Sequence, residues 1–156
     1  MNQEKYEFLK NNFLPLLSGL SPDSTGRWGK MNGQQMVEHV CDFFKVSSGK
    51  LHFQLVTPEE HLPRFKEFLM SEKEFRQNTK APVLPEEPFP LRYGTMQESL
   101  QELENELNGF FDYFNGNPEK RTLHPVFGNL NFAEWVQLHH KHVIHHLKQF
   151  GLEKGY

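Results

Sequence analysis

Apolar residues in this chain recur at three- and four-residue steps, and no stretch shows the alternation of a convincing strand. Steps of that size put side chains on one face of a helix, and such a face must be buried against another. Residues 2–20 carry one face, with Tyr6, Leu9, Phe13 and Leu16 or Leu17. A second holds Met36, Val40, Phe43 and Ser47. A third runs Leu100, Leu103, Leu107, Phe110, Phe111 and Phe114, and a fourth has Phe132, Val136, Val143, Leu147 and Phe150. Four main helices with one apolar face each predict an all-α four-helix bundle.

Local signals set the expected boundaries. Pro15 lies inside the first helix and should kink or tighten it near residues 11–15. Residues 21–26 read as a turn and Arg27-Trp28-Gly29-Lys30-Met31 as a connector. Asn32 with Gln35 caps a helix running to about residue 50 or 55. Thr57-Pro58-Glu59-Glu60 starts a short extra helix to about residue 71, with Thr57 as cap, although Pro63 disturbs its first turn. Thr95 with Glu98 caps the third main helix, and Asn115-Gly116-Asn117-Pro118 stops it. Residues 119–130 read as a loop. Asn131 with Glu134 caps the last helix, which ends at Gly151.

Residues 76–94 differ in kind. Pro82, Pro85, Pro88 and Pro90 forbid a regular helix, yet Val83, Leu84, Phe89, Leu91 and Tyr93 make the tract too apolar for a free linker. An extended arm lying across the bundle, over the mouth of a site, is expected. It falls within a connection of about 40 residues between the second and third main helices, long enough to cross the bundle.

The 156 residues suit one domain, 1–156. The formal charge is −3, and the basic segments are mixed in sign, which argues against nucleic acid as a partner. One cysteine allows no intrachain disulfide and suits a reducing compartment. No run approaches a membrane span, and the amino terminus lacks the apolar segment of a signal peptide, so a cytoplasmic location with no membrane partner is expected.

Five of nine histidines lie between His139 and His146. His142 and His146 are four residues apart, so they stand one above the other on a helix and can share a metal ion. The row borders the apolar face of the last helix. His39, set among Met36, Val40 and Phe43, is the best third ligand, because a neighbouring helix can bring it to the same level. His139 competes as an alternative ligand or a supporting residue. His140 and His145 read as surface or packing residues, His124 as a loop-packing residue near the bundle mouth, and Cys41 as buried filler. No zinc-protease helix, di-iron carboxylate pattern, phosphate loop or nucleophile elbow is present.

Trp28-Gly29-Lys30-Met31, Gln35-Met36-Val37-Glu38-His39, His124-Pro125-Val126-Phe127-Gly128 and His142-Val143-Ile144-His145-His146-Leu147-Lys148-Gln149 together resemble the DinB/YfiT-like superfamily. The WGKM and HPxFG motifs are similar to an uncharacterised bacterial branch of it. The resemblance covers about residues 5–152 and is weakest over 56–94. It implies an up-down-down-up bundle, a divalent metal such as zinc or nickel on His39, His142 and His146, and a homodimer. Characterised members include thiol-dependent S-transferases and a mycothiol-dependent isomerase.

The expected function is therefore that of a metal-dependent enzyme. It would be a thiol-dependent S-transferase acting on a small electrophile, with a low-molecular-weight thiol as co-substrate. A metal or small-ligand binding module without catalysis and a metal-dependent hydrolase are the alternatives. The hydrolase has no evident general base, since Glu38 lies about 100° from His39 around the helix.

Overall fold

The structure is a computed structural model and describes residues 1–79 and 81–153; position 80, inside the expected arm, and residues 154–156 lie outside the described residues. Helix α1 (Gln3–Glu7) starts where the Asn2 side chain accepts from Lys5 N at 3.1 Å. Pro15 has no N–H, and its ring would collide with the Asn11 carbonyl in a regular helix. The backbone accommodates it with a π-helical turn over Phe8–Asn12 and resumes as α2 (Phe13–Leu16). The distortion thus falls slightly earlier than the expected residues 11–15. Across it, Phe8, Leu9, Phe13 and Leu17 stay buried.

Helix α3 (Gly33–Ser47) carries the expected reciprocal cap: Asn32 Oδ1 accepts from Gln35 N at 2.8 Å, and Gln35 Oε1 accepts from Asn32 N at 2.9 Å. Helix α4 (Leu62–Met70) starts later than the sequence suggests, after a 3-10 turn over Glu59–His61. The expected Thr57 cap is absent: the 3-10 turn has no side-chain cap hydrogen bond, and the Thr57 hydroxyl donates to the Val126 carbonyl at 2.7 Å. Pro63 sits in the first turn of α4, where a missing N–H breaks no helical bond.

Helix α5 (Met96–Phe114) is capped by Thr95, which accepts from Glu98 N at 3.2 Å. Only half of the expected box is made, since Glu98 accepts from the Thr95 hydroxyl and not from its backbone N–H. The expected loop at 119–130 contains a small antiparallel ribbon, β1 (Thr122–His124) and β2 (Gly128–Leu130), with Leu123 opposite Asn129. Strands of three residues are too short to show a period of two. Gly128, at φ +84°, supplies the left-handed backbone of the turn. Helix α6 (Phe132–Gln149) has the expected Asn131–Glu134 box.

The described residues are mostly helical, with this one small sheet. Helix α3 packs chiefly on α5 and also on α6, while α1 and α4 lie against α6. The core between them includes Leu9, Met36, Phe44, Leu103, Phe110, Trp135 and Leu147. No helix among the described residues is long and apolar enough to cross a membrane.

Candidate metal centre

The packing of α3 on α6 decides what His39 meets. His39 Nε2 lies 3.0 Å from His142 Nε2, and His142 Nε2 lies 3.0 Å from His146 Nε2. One nitrogen from each ring falls within 4.8 Å of the other two, a grouping that could hold a metal ion. Two ligands of a tetrahedral zinc ion, with bonds of about 2.0–2.1 Å, would stand about 3.3 Å apart. The three residues singled out in the sequence are therefore brought together, with the His39–His142 and His142–His146 pairs at almost that spacing.

The hydrogen bonds around the rings establish which nitrogen of His146 carries a lone pair. Gln149 Nε2 donates to the Trp28 carbonyl at 2.9 Å, so its Oε1 faces His146 Nδ1 at 2.7 Å and accepts a proton from it. His146 Nε2 is then a bare acceptor turned toward the other two rings. His142 has one ring proton when neutral, and a proton on Nε2 cannot fully serve both 3.0 Å contacts. A cation among the three nitrogens would satisfy all of them, so this donor set fits a divalent metal.

Electrostatics favour the same protonation state. Burial pushes the His39 pKa down to about 4, helped by repulsion from His145. Burial holds His142 and His146 well below the usual imidazole range; repulsion from His146 and His39 adds to this for His142, and repulsion from His39 for His146. Neutral imidazole is the form that ligates. The loop before α3 secures the Gln149 support: Arg27 N donates to the Gln149 carbonyl at 2.7 Å. Gly29, at φ +81°, passes so close that an added Cβ would stand 2.7 Å from Gln149 Nε2.

The other histidines are occupied elsewhere. Ser47 spends its hydroxyl proton on the Phe44 carbonyl at 2.8 Å, so its oxygen accepts from His139 Nε2, also at 2.8 Å. His139 stacks on Phe44 and Trp135 and lies outside the three-histidine group. His124 Nδ1 accepts from Val126 N and Phe127 N at 3.0 and 3.3 Å, closing the β1–β2 turn. His140 meets Phe8 edge-on. His145 packs between Trp28 and Phe75 and beside His146. Cys41 is fully buried, with its thiol against Glu102.

The three histidines open on a cavity of about 1340 Å³. Phe43, Phe65, Phe68, Phe75 and Phe127 supply aromatic walls, and described residues of the arm from Arg76 to Arg92 line it from the other side. The arm is tied down by Lys30–Glu87 at 2.5 Å and by Glu38. The Glu38 carboxylate accepts from Arg92 N at 2.8 Å, Tyr93 N at 3.4 Å and the Ser99 hydroxyl at 2.7 Å. Sequence reasoning gave neither Gln149 nor Glu38 these tasks. For Gln149 the available signal was its position three residues after His146, on the same helix face.

No curated protein and no solved structure matches this chain. A family profile matches residues 69–152, more than half of the sequence, and spans His142, His146 and Gln149 but not His39. On that match the chain belongs to the family described as "Protein of unknown function (DUF1569)".

Proposed function

We propose that this protein is a metal-dependent, thiol-dependent S-transferase acting on a small electrophile. His39, His142 and His146 would hold one divalent ion, zinc or nickel, on the wall of the cavity. When bound, the ion supplies Lewis acidity that lowers the pKa of a thiol beside it. The observation that carries the reading is the convergence of three neutral imidazoles on a cavity large enough for two small reactants. In the transfer, the thiol would release its proton to solvent, its sulfur would bond to the electrophilic carbon, and the displaced group would depart with the bonding pair and take up a proton from solvent.

The chain's own residues supply orientation and dryness. Gln149 fixes the His146 tautomer. The Phe43 ring lies 5.3 Å from His39 and 5.1 Å from His142 and shields them from water. Glu38 is committed to the arm, so this carboxylate next to His39 is not free to activate a water. That commitment removes Glu38 as the general base of a metal-dependent hydrolysis. The reading extends to an up-down-down-up four-helix bundle of the DinB/YfiT-like type, forming a homodimer in the cytoplasm.

Metal content by plasma mass spectrometry tests it, on untagged protein never exposed to a nickel column. One ion per chain in the wild type, lost in His39→Ala and in His142→Ala, is expected, together with metal-dependent consumption of thiol in the presence of an electrophile. Equal thiol consumption by metal-free and metal-loaded protein would overturn the transferase. Bound metal that stabilises the fold with no turnover of any thiol or ester would leave a binding module.

A further inference from the structure

Charge is unevenly committed along the wall of the large cavity. Its carboxylates are engaged: Glu38 accepts from the arm, Asp42 pairs with Arg92 at 3.2 Å, Glu74 with Lys148 at 2.6 Å and Glu87 with Lys30 at 2.5 Å, and Glu86 adds its field at Lys30. Three cations of the same wall are not. Arg64, on α4, and Lys73 and Arg76, in the segment leading into the arm, are exposed at the mouth, and among the described residues no carboxylate pairs with any of them. The chain as a whole carries a formal charge of −3, so this cationic rim runs against its composition.

Arg64 is the one of the three that is held in place. Its Nη2 lies 3.4 Å from His61 Nδ1, and its guanidinium lies 5.9 Å from the centre of the Phe65 ring. A guanidinium has no lone pair to offer, so the His61 nitrogen facing it is a bare acceptor. An imidazole and an aromatic face orient the guanidinium without cancelling its charge. From this point a row of rings leads to the three histidines. Phe65 lies 6.4 Å from Phe127, Phe127 5.0 Å from His124, His124 5.9 Å from Phe43, and Phe43 5.1 Å from His142. All of these rings line the cavity.

We propose that the cavity takes an amphipathic organic acid, with its carboxylate on Arg64, its apolar body along the row of rings and its reactive end toward the three histidines. The Arg64 guanidinium is open to solvent and can meet a carboxylate through two parallel N–H donors. Lys73 and Arg76 add a field at the mouth that draws anions in. A cationic ligand would meet three like charges and find the wall carboxylates already engaged. The inference names the chemical class of the electrophile, and it rests on the proposed function only in taking this cavity as the substrate site.

The probes are 6-phenylhexanoate and its uncharged match, 6-phenylhexanamide, titrated by calorimetry at about pH 8, where the acid is ionised. Metal-loaded wild type, metal-free His39→Ala and Arg64→Gln are compared. The acid is expected to bind about three- to tenfold more tightly than the amide in both the wild type and His39→Ala. Arg64→Gln should abolish that preference and leave the amide unchanged, and added salt should weaken the acid alone. An acid that binds no better than the amide, a preference that survives Arg64→Gln, or no saturable binding of either probe at millimolar concentration would each overturn the proposal. So would a preference that disappears in His39→Ala, since the carboxylate would then sit on the metal. The outcome is separable from the transferase reading. An Arg64-dependent preference in protein that consumes no thiol keeps the ligand class and removes the transferase. Thiol consumption without the preference removes the ligand class alone.

Discussion

His146 Nδ1–H donates a hydrogen bond to Gln149 Oε1 at 2.7 Å, and this single bond aims the opposite nitrogen of the ring at His142. Gln149→Leu removes the bond and leaves the His146 tautomer free. Metal affinity is expected to fall about 10- to 100-fold, read by competition with a chelator of known affinity. An unchanged affinity would mean that the glutamine has no hold on the ligand.

Gly29 carries a second route to the same residue. Its φ of +81° disfavours any side chain, and a Cβ there would press on Gln149 Nε2. Gly29→Ala should cost about 1–3 kcal/mol of stability and weaken metal binding in parallel. The urea midpoint and the chelator competition should move together; a loss of stability alone would show that the loop does not position the glutamine.

Metal should stabilise the folded chain through all three histidines. At a free metal concentration about 100 times Kd, the expected gain is about 2.7 kcal/mol, visible as a higher Tm in the wild type. His142→Ala should show no such gain. A variant that gains as much as the wild type would indicate binding elsewhere in the histidine-rich helix.

Acid should destabilise the metal-free protein through its buried histidines, among them two outside the ligand set. Burial holds the His124 pKa down to about 3 and places His139 well below its ordinary value. In the unfolded chain both titrate near 6.5. Below about pH 6.5 the unfolded state binds more protons, so stability falls with pH by up to about 1.4 kcal/mol per unit for each residue. Their contribution is complete above that pH and is lost toward the folded pKa. Urea unfolding of metal-free protein at about pH 7.5 and about pH 5 should differ by this sign; equal midpoints would contradict the burial of both rings.

Glu38, 4% exposed, holds the end of the arm through two backbone N–H groups. Glu38→Ala leaves those donors unmatched and should expose the arm to limited proteolysis between residues 81 and 93 while helical circular dichroism persists. Cleavage no faster than in the wild type would show that other contacts are enough to secure it.

Much of this molecule was legible in the sequence. Asn32, Thr95 and Asn131 announce three helix starts, because a capping side chain acts on a backbone two or three residues away. His142 and His146 were readable for the same reason. His39 was less so: its role depends on the docking of α3 against α6, which no local pattern encodes. Thr57 misled: its hydroxyl donates to Val126, remote in sequence, and its oxygen caps no helix. The β1–β2 ribbon was missed because three-residue strands carry too few positions to reveal a period. The tasks of Glu38 and Gln149 depend on loops that fold back over their helices, and composition gives no sign of that.

His39 and His142 stand 103 residues apart in the chain. At about 5–20 residues per second of synthesis, His39 leaves the peptidyl-transferase centre roughly 5–20 s before its first partner is made. Helix α3 and its chief packing partner α5 are both complete by then, so that half of the molecule can assemble while the site is still one ligand. Only with the synthesis of α6 does the ion's binding place come into being. Any metal captured there must wait for α6 and is acquired on a scaffold already partly built.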